Sequence, residues 1–155
     1  MYHFFVRRRV QTIFEHLNRG DFEFVLDQFA DDAEHWFSGA HALGGVRRTQ
    51  ALRRAWYARL AKVLPRLEFD VSQIQVSGPP WNTRVAVEWT DRVFDSVGKE
   101  LTPNQGVFLL TIRWGRAVRF RVYCDTAALQ QNLLVIAEQG VTEAASLPIS
   151  EPLPA

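Results

Sequence analysis

The sequence predicts an α+β domain: a strongly bent antiparallel sheet wrapped over three N-terminal helices into a cone with an internal pocket, plus a C-terminal helix. Three observations carry this expectation. Apolar residues recur at helical spacing as far as Val63, alternate with period two from Leu67 to Cys124, and return to a helical segment after Asp125. Helices segregated from a meandering sheet define the α+β class. A bent sheet over helices leaves an open-mouthed interior of the kind that holds small molecules.

Val6, Val10, Ile13, Phe14 and Leu17 place a first helix, which Gly20 can stop. Asp21 can cap a short second helix carrying Phe22, Val25, Leu26 and Phe29. The stretch "ADDAEHWFSGAH" reads as an acidic turn, a brief strand and a turn at Gly39. Thr49 can cap a third helix with Leu52, Trp56, Leu60 and Val63, ended by Pro65. The strand "RLEFDVSQIQV" shifts phase between Val71 and Ile74, which predicts a β-bulge at Ser72–Gln73. "VAVEWTDRVF" follows, then "GVFLLTIRW", a tight turn at Gly115–Arg116, and "AVRFRVYC". Asp125 or Thr126 can cap a last helix running to about Gln139, with Gly140 as its stop. Residues 1–140 thus form one domain. Residues 141–155 form a proline-containing tail, lying loose or against a partner.

Composition narrows the function. At 155 residues with 47% apolar content, the chain can bury a real core. A net charge of +1 gives no basic excess for nucleic acid, and the runs Arg7–Arg9, Arg47–Arg48 and Arg53–Arg54 read as solvated helix faces. No apolar run reaches the roughly 18 residues of a membrane span, and the N-terminus has the reverse of signal-peptide order. The single Cys124 forbids an internal disulfide and fits a reducing compartment. The expectation is a soluble cytoplasmic protein with no membrane or nucleic-acid partner.

One residue breaks the pattern. In "VAVEWTDRVF", Val85, Val87, Trp89, Asp91 and Val93 share one face, and only Asp91 is polar. It either sits in a cavity, caps a turn, or meets an arginine such as Arg92 or Arg113.

The stretches "NRGDFEFVLDQFADDAEHWFSG", "RVAVEWTDR" and "GVFLLTIRWGRAVRFRVYCDTAAL", in this order of elements, resemble the SnoaL-like, nuclear transport factor 2-like superfamily. The resemblance covers roughly residues 5–138. That superfamily includes ketosteroid isomerases, polyketide cyclases, limonene-epoxide hydrolase and non-catalytic binding subunits, so the fold does not specify a reaction. The positions of the isomerase's base, tyrosine and second acid fall at Phe37, Ile13 and Leu110, all apolar. Asp91 matches an aspartate of the epoxide hydrolase, but Trp89 replaces its arginine. Its second aspartate falls at Val122, and its tyrosine and asparagine at His35 and Phe37.

The resemblance implies inward faces carrying Phe37, Trp89, Phe108, Leu110, Phe120 and Val122, with Trp56 from the third helix, as a ligand-binding lining. It leaves His35 and Asp91 as the ionisable pair for proton transfer or water activation. His35 can instead be a core histidine. Glu34, His35 and His41 lack metal-site spacing, so no metal or cofactor is expected. Cys124 reads as a small buried hydrophobe, Asn104–Gln105 as a turn and Asp125 as a helix cap. The expected function is an isomerase, cyclase or hydrolase acting on an apolar, cyclic substrate; the alternative is a non-catalytic module that binds or senses a hydrophobic ligand. Leu109, Thr111, Arg113, Arg119, Arg121 and Tyr123 lie on outward faces and fit a homodimer formed through the sheet.

Overall fold

The computed structural model describes residues 1–152. Its elements are α1 (Tyr2–Asn18), α2 (Phe22–Leu26), β1 (Phe29–Phe37), β2 (Gly45–Arg47), α3 (Gln50–Val63), β3 (Arg66–Ser77), β4 (Thr83–Phe94), β5 (Gln105–Arg113), β6 (Arg116–Cys124) and α4 (Thr126–Glu138). The six strands form one curled, unclosed sheet in the order β2-β1-β6-β5-β4-β3. All neighbours are antiparallel except β1 and β6, which run parallel.

Local chemistry sets the boundaries. The Asp21 carboxylate accepts from Phe24 N–H at the start of α2, the Thr49 hydroxyl from Leu52 N–H at the start of α3, and the Asp125 carboxylate from Ala128 N–H at the start of α4. Each satisfies a helix N–H that has no intrahelical partner. Val6, Val10 and Phe14 form the buried stripe of α1. They pack with Val85, Val87, Trp89, Phe108 and Val122 of the concave sheet face. Each such side chain contributes about 1.5–3 kcal/mol of burial. The Asn18 side chain pins α1 to β3, donating to Phe69 O and accepting from Phe69 N–H at 2.9 and 2.8 Å. A second apolar cluster joins α2, α3 and α4 to β1 and the start of β6.

The bulge predicted in β3 is present: Val71 pairs with Trp89 and Gln73 with Glu88, leaving Ser72 as the extra residue. Because the insertion is in β3, β4 keeps its alternation, and Val87, Trp89, Asp91 and Val93 all remain on the buried face.

Four expectations are corrected. The acidic "ADDAE" is not a turn but part of β1, where pairing with β6 overrides local polarity. The β5–β6 hairpin turns at Trp114–Gly115, one residue earlier than expected, with φ of 49° and 81°. These positive values match the right-handed twist of a two-residue hairpin. Arg47 and Arg53 are not on solvated faces; both are fully buried. The tail does not lie loose: Thr142–Ala145 form a 3-10 turn, and Glu151 N–H donates to Val46 O at 2.8 Å, so the chain runs along the edge of β2. The last three residues of the tail, 153–155, lie outside the described residues.

Candidate functional site

The curl of the sheet and the covering helices leave a chamber of about 60 Å³. Its wall is almost wholly apolar: Phe37, Trp56, Trp89, Phe108, Phe120 and Val122 line it, with leucines from α3, β3 and α4. Six of the seven residues expected to contact a ligand therefore face this space. The seventh, Leu110, lines a second chamber of about 220 Å³ between α1 and strands β5–β6.

Asp91 is the one carboxylate in the wall of the first chamber. It is 8% exposed. Oδ1 accepts from the Asn104 N–H at 2.7 Å, and Asp91 N–H donates to Asn104 O at 2.9 Å. The other carboxylate oxygen has no hydrogen-bond partner among the described residues. Burial pushes its pKa up to about 6, against the opposing pull of the Asn104 N–H. Desolvation disfavours the charged form, and no cation sits close enough to restore it.

The segment that holds Asp91 is itself locked. Asn104 is buried, donates from its side chain to Asp125 O at 2.9 Å, and accepts from the N–H groups of Gln105 and Asp125. The expectation of a simple turn at Asn104 missed this: the residue ties the Asp91 carboxylate to the start of α4. Other polar groups at or near the chamber lack protein partners among the described residues, the Tyr57 hydroxyl included. The Trp89 indole N–H and the Ser38 hydroxyl are buried with none among the described residues. Cys124 also lines the chamber, and burial, with Asp91 and Asp125 nearby, pushes its thiol up to about 11. A thiol so poorly ionised is a weak nucleophile.

His35 does not join this group. It is fully buried, and no hydrogen bond links it to Asp91 among the described residues. Its Nδ1 accepts from Arg47 Nε at 3.0 Å, which places the proton on Nε2, and Nε2 has no partner among the described residues. The ring stacks on Phe120 at 5.1 Å and meets Trp56 edge-on at 4.6 Å. Burial first, then the charges of Arg47 and Arg53, hold its pKa well below the usual value, so it stays neutral. The pairing expected of His35 with Asp91 fails because Arg47 takes the histidine instead.

The two buried arginines organise the wall behind the chamber. Arg47 also donates to Gly44 O, Gly45 O and Ile149 O. Arg53 donates to Ala30 O, Asp31 O and Ala33 O and to the Gln50 side chain. Neither makes an ion pair with a carboxylate among the described residues. For Arg53 a signal was present in the sequence: it stands on the Trp56, Tyr57, Leu60 and Val63 face of α3, at positions i, i+3, i+4, i+7 and i+10. His41 is likewise committed, through Ser38 O at 2.7 Å and Leu43 N–H at 3.2 Å. Among the described residues, no three His, Cys, Asp or Glu side chains converge as metal ligands. No helix among the described residues is long and apolar enough to cross a membrane.

A curled sheet over helices, enclosing an apolar chamber with one inward carboxylate, defines an α+β cone of the nuclear transport factor 2-like class. The chain belongs to the SnoaL-like domain family, whose model matches residues 10–120. Solved structures with the same fold include an NTF2-like protein of unknown function from Burkholderia pseudomallei (23% identity, TM-score 0.71, covering 81% of this chain and 94% of that one). TerC, co-crystallised with polyporic acid, is similar at 23% identity and TM-score 0.68, covering 79% and 92%. So is a protein described as a SnoaL-like polyketide cyclase from Jannaschia (19%, TM-score 0.59, 79% and 89%). A search of curated proteins found no match.

Proposed function

We propose that the cone binds an apolar, oxygen-bearing small molecule and that Asp91 moves a proton on it, as in an isomerase or cyclase. The observation that carries this is a carboxylate with one oxygen unpartnered in an otherwise apolar chamber, its pKa raised to about 6. Such a group is mostly ionised at neutral pH yet a stronger base than an exposed aspartate. It would take a proton from a carbon beside a carbonyl and return it at another position. The likeness to TerC, crystallised with polyporic acid, and to a protein described as a polyketide cyclase supports a small-molecule occupant. His35, neutral and held by Arg47, positions the wall rather than exchanging protons.

The test is deuterium incorporation into 2-tetralone, an apolar ketone with acidic C–H bonds, followed by NMR in D₂O. Exchange should rise as pH passes through about 6 and disappear in Asp91→Asn. Equal exchange in the variant would remove Asp91 from the chemistry. One observation favours a non-catalytic binding module: no second ionisable group with a near-neutral pKa shares the chamber with Asp91. On that reading, Asp91→Asn changes affinity for a bound ketone while neither protein catalyses exchange.

We also propose a homodimer through the convex face of the sheet. Leu109 and Tyr123 are 42% and 40% exposed there, beside Arg84, Arg119 and Arg121. An apolar centre with an arginine-rich surround has the composition of an interface. Sedimentation should give twice the chain mass, and Leu109→Lys should return it to one. A wild-type protein sedimenting as one chain at micromolar concentration overturns the dimer.

A further inference from the structure

The chamber around Asp91 is small for its proposed task. Small-molecule sites usually enclose roughly 300 Å³ or more, and this one encloses about 60 Å³. The second chamber, of about 220 Å³, adjoins it: Leu17, Tyr57, Phe108 and Phe120 line both. Together the two approach the usual size. The second chamber reaches the surface beside Phe5 and Arg9, where the Arg9 guanidinium donates to the Gln28 side chain.

Among the four shared residues, only Tyr57 is polar. It is 4% exposed, and its hydroxyl makes no hydrogen bond with the described residues. The residue is buried, but its hydroxyl is not one of the fully enclosed unpaired atoms, so the oxygen faces the open space of the chambers and is free to bond a water or a ligand. The neighbouring charges indicate what kind. His35 lies 5.6 Å from the Tyr57 ring and accepts from Arg47 through Nδ1, and Arg53 is buried one turn earlier on α3. Two buried cations without carboxylate partners favour an electron-rich atom at the hydroxyl, one that accepts the Tyr57 proton in a hydrogen bond.

We propose that the ligand spans both chambers: an elongated, mostly apolar molecule with one oxygen function at Asp91 and a second, accepting oxygen at Tyr57 Oη. This rests on the cone being a ligand site and adds the ligand's length and the spacing of its polar groups. Tyr57 is then a contact residue at the waist of the site. The shared apolar side chains set how wide the ligand is at that point.

Two probes separate the possibilities. 4-Hydroxybenzophenone has a phenol, a central ketone and an outer ring, whereas p-cresol has the phenol end alone. Titration by NMR should show the long probe binding more tightly. Ile13 lines only the second chamber. Ile13→Trp should fill that chamber and weaken the long probe about tenfold while leaving p-cresol unchanged. Tyr57→Phe keeps the packing and should weaken the long probe about fivefold. Near-ultraviolet irradiation of the wild type with the benzophenone should place cross-links on α1 between Val10 and Leu17. Unchanged affinity in both variants, or cross-links confined to residues beside Asp91 such as Phe69 and Leu129, overturns the spanning ligand. Asp91→Asn reports separately on the proposed function: if it alters neither probe while Ile13→Trp and Tyr57→Phe still act, the spanning ligand stands and the role of Asp91 falls. Failure of both probes to bind at their solubility limits overturns both.

Discussion

Asp91→Asn should be more stable than the wild type at pH 8 by up to about 3 kcal/mol and gain little at pH 4. The carboxylate's pKa is about 6 in the folded chain against an ordinary 3.8. The folded state therefore holds its proton over a range where the unfolded state has already released it. The stabilising contribution is complete below about pH 4, is lost as pH rises to about 6, and stays lost above that. An amide carries no charge to desolvate, and its oxygen can still accept from the Asn104 N–H. In a chain of this size each kcal/mol moves the melting temperature by roughly 2–4 °C. Melting curves at the two pH values give the check, and a variant no more stable than the wild type at pH 8 would refute the burial argument. A gain in stability together with a loss of proton exchange would mark Asp91 as a residue kept for chemistry at a structural cost.

Arg53→Met should lose at least about 3 kcal/mol, since each of three buried carbonyls left without a donor costs about 1–3 kcal/mol. The side chain is fully buried and holds three carbonyls of β1, those of Ala30, Asp31 and Ala33, at 2.7–3.0 Å. Methionine fills much of the volume but leaves those oxygens without a donor. Arg53→Lys should recover only part of the loss, because one ammonium cannot reproduce the planar fork. Urea unfolding of the three proteins measures both effects. A lysine variant as stable as the wild type would show that charge alone, rather than the fork, matters at this position.

These two residues mark the limit of what was legible in the sequence. The helical stripe of α1, the period of two in β3–β6, the caps at Asp21, Thr49 and Asp125 and the bulge at Ser72 all rest on local spacing, and all are present. The inward place of Asp91 followed from the same alternation. Its neighbours did not. Whether His35 meets Asp91 or Arg47 depends on β2 pairing with β1, which puts His35 opposite Arg47. Three residues of strand give too short a pattern to read. The burial of Arg47 was hidden for a further reason: one of its acceptors, Ile149 O, comes from a tail more than a hundred residues away. Tyr57 carried a visible signal, its place on the apolar face of α3, but nothing local says that its hydroxyl has no partner among the described residues.

That tail has a consequence for how the molecule can assemble. Ser150 and Glu151 bond to Val46 and occupy the outer backbone of β2. The opposite border, β3, is bulged at Ser72 and carries Arg66, Glu68 and Asp70. Neither border offers a flat row of free amides and carbonyls, so growth by adding strands from other copies is blocked at one end and discouraged at the other. The proposed dimer would instead use side chains on the broad face of the sheet, an arrangement that closes as a pair rather than growing as an open fibre.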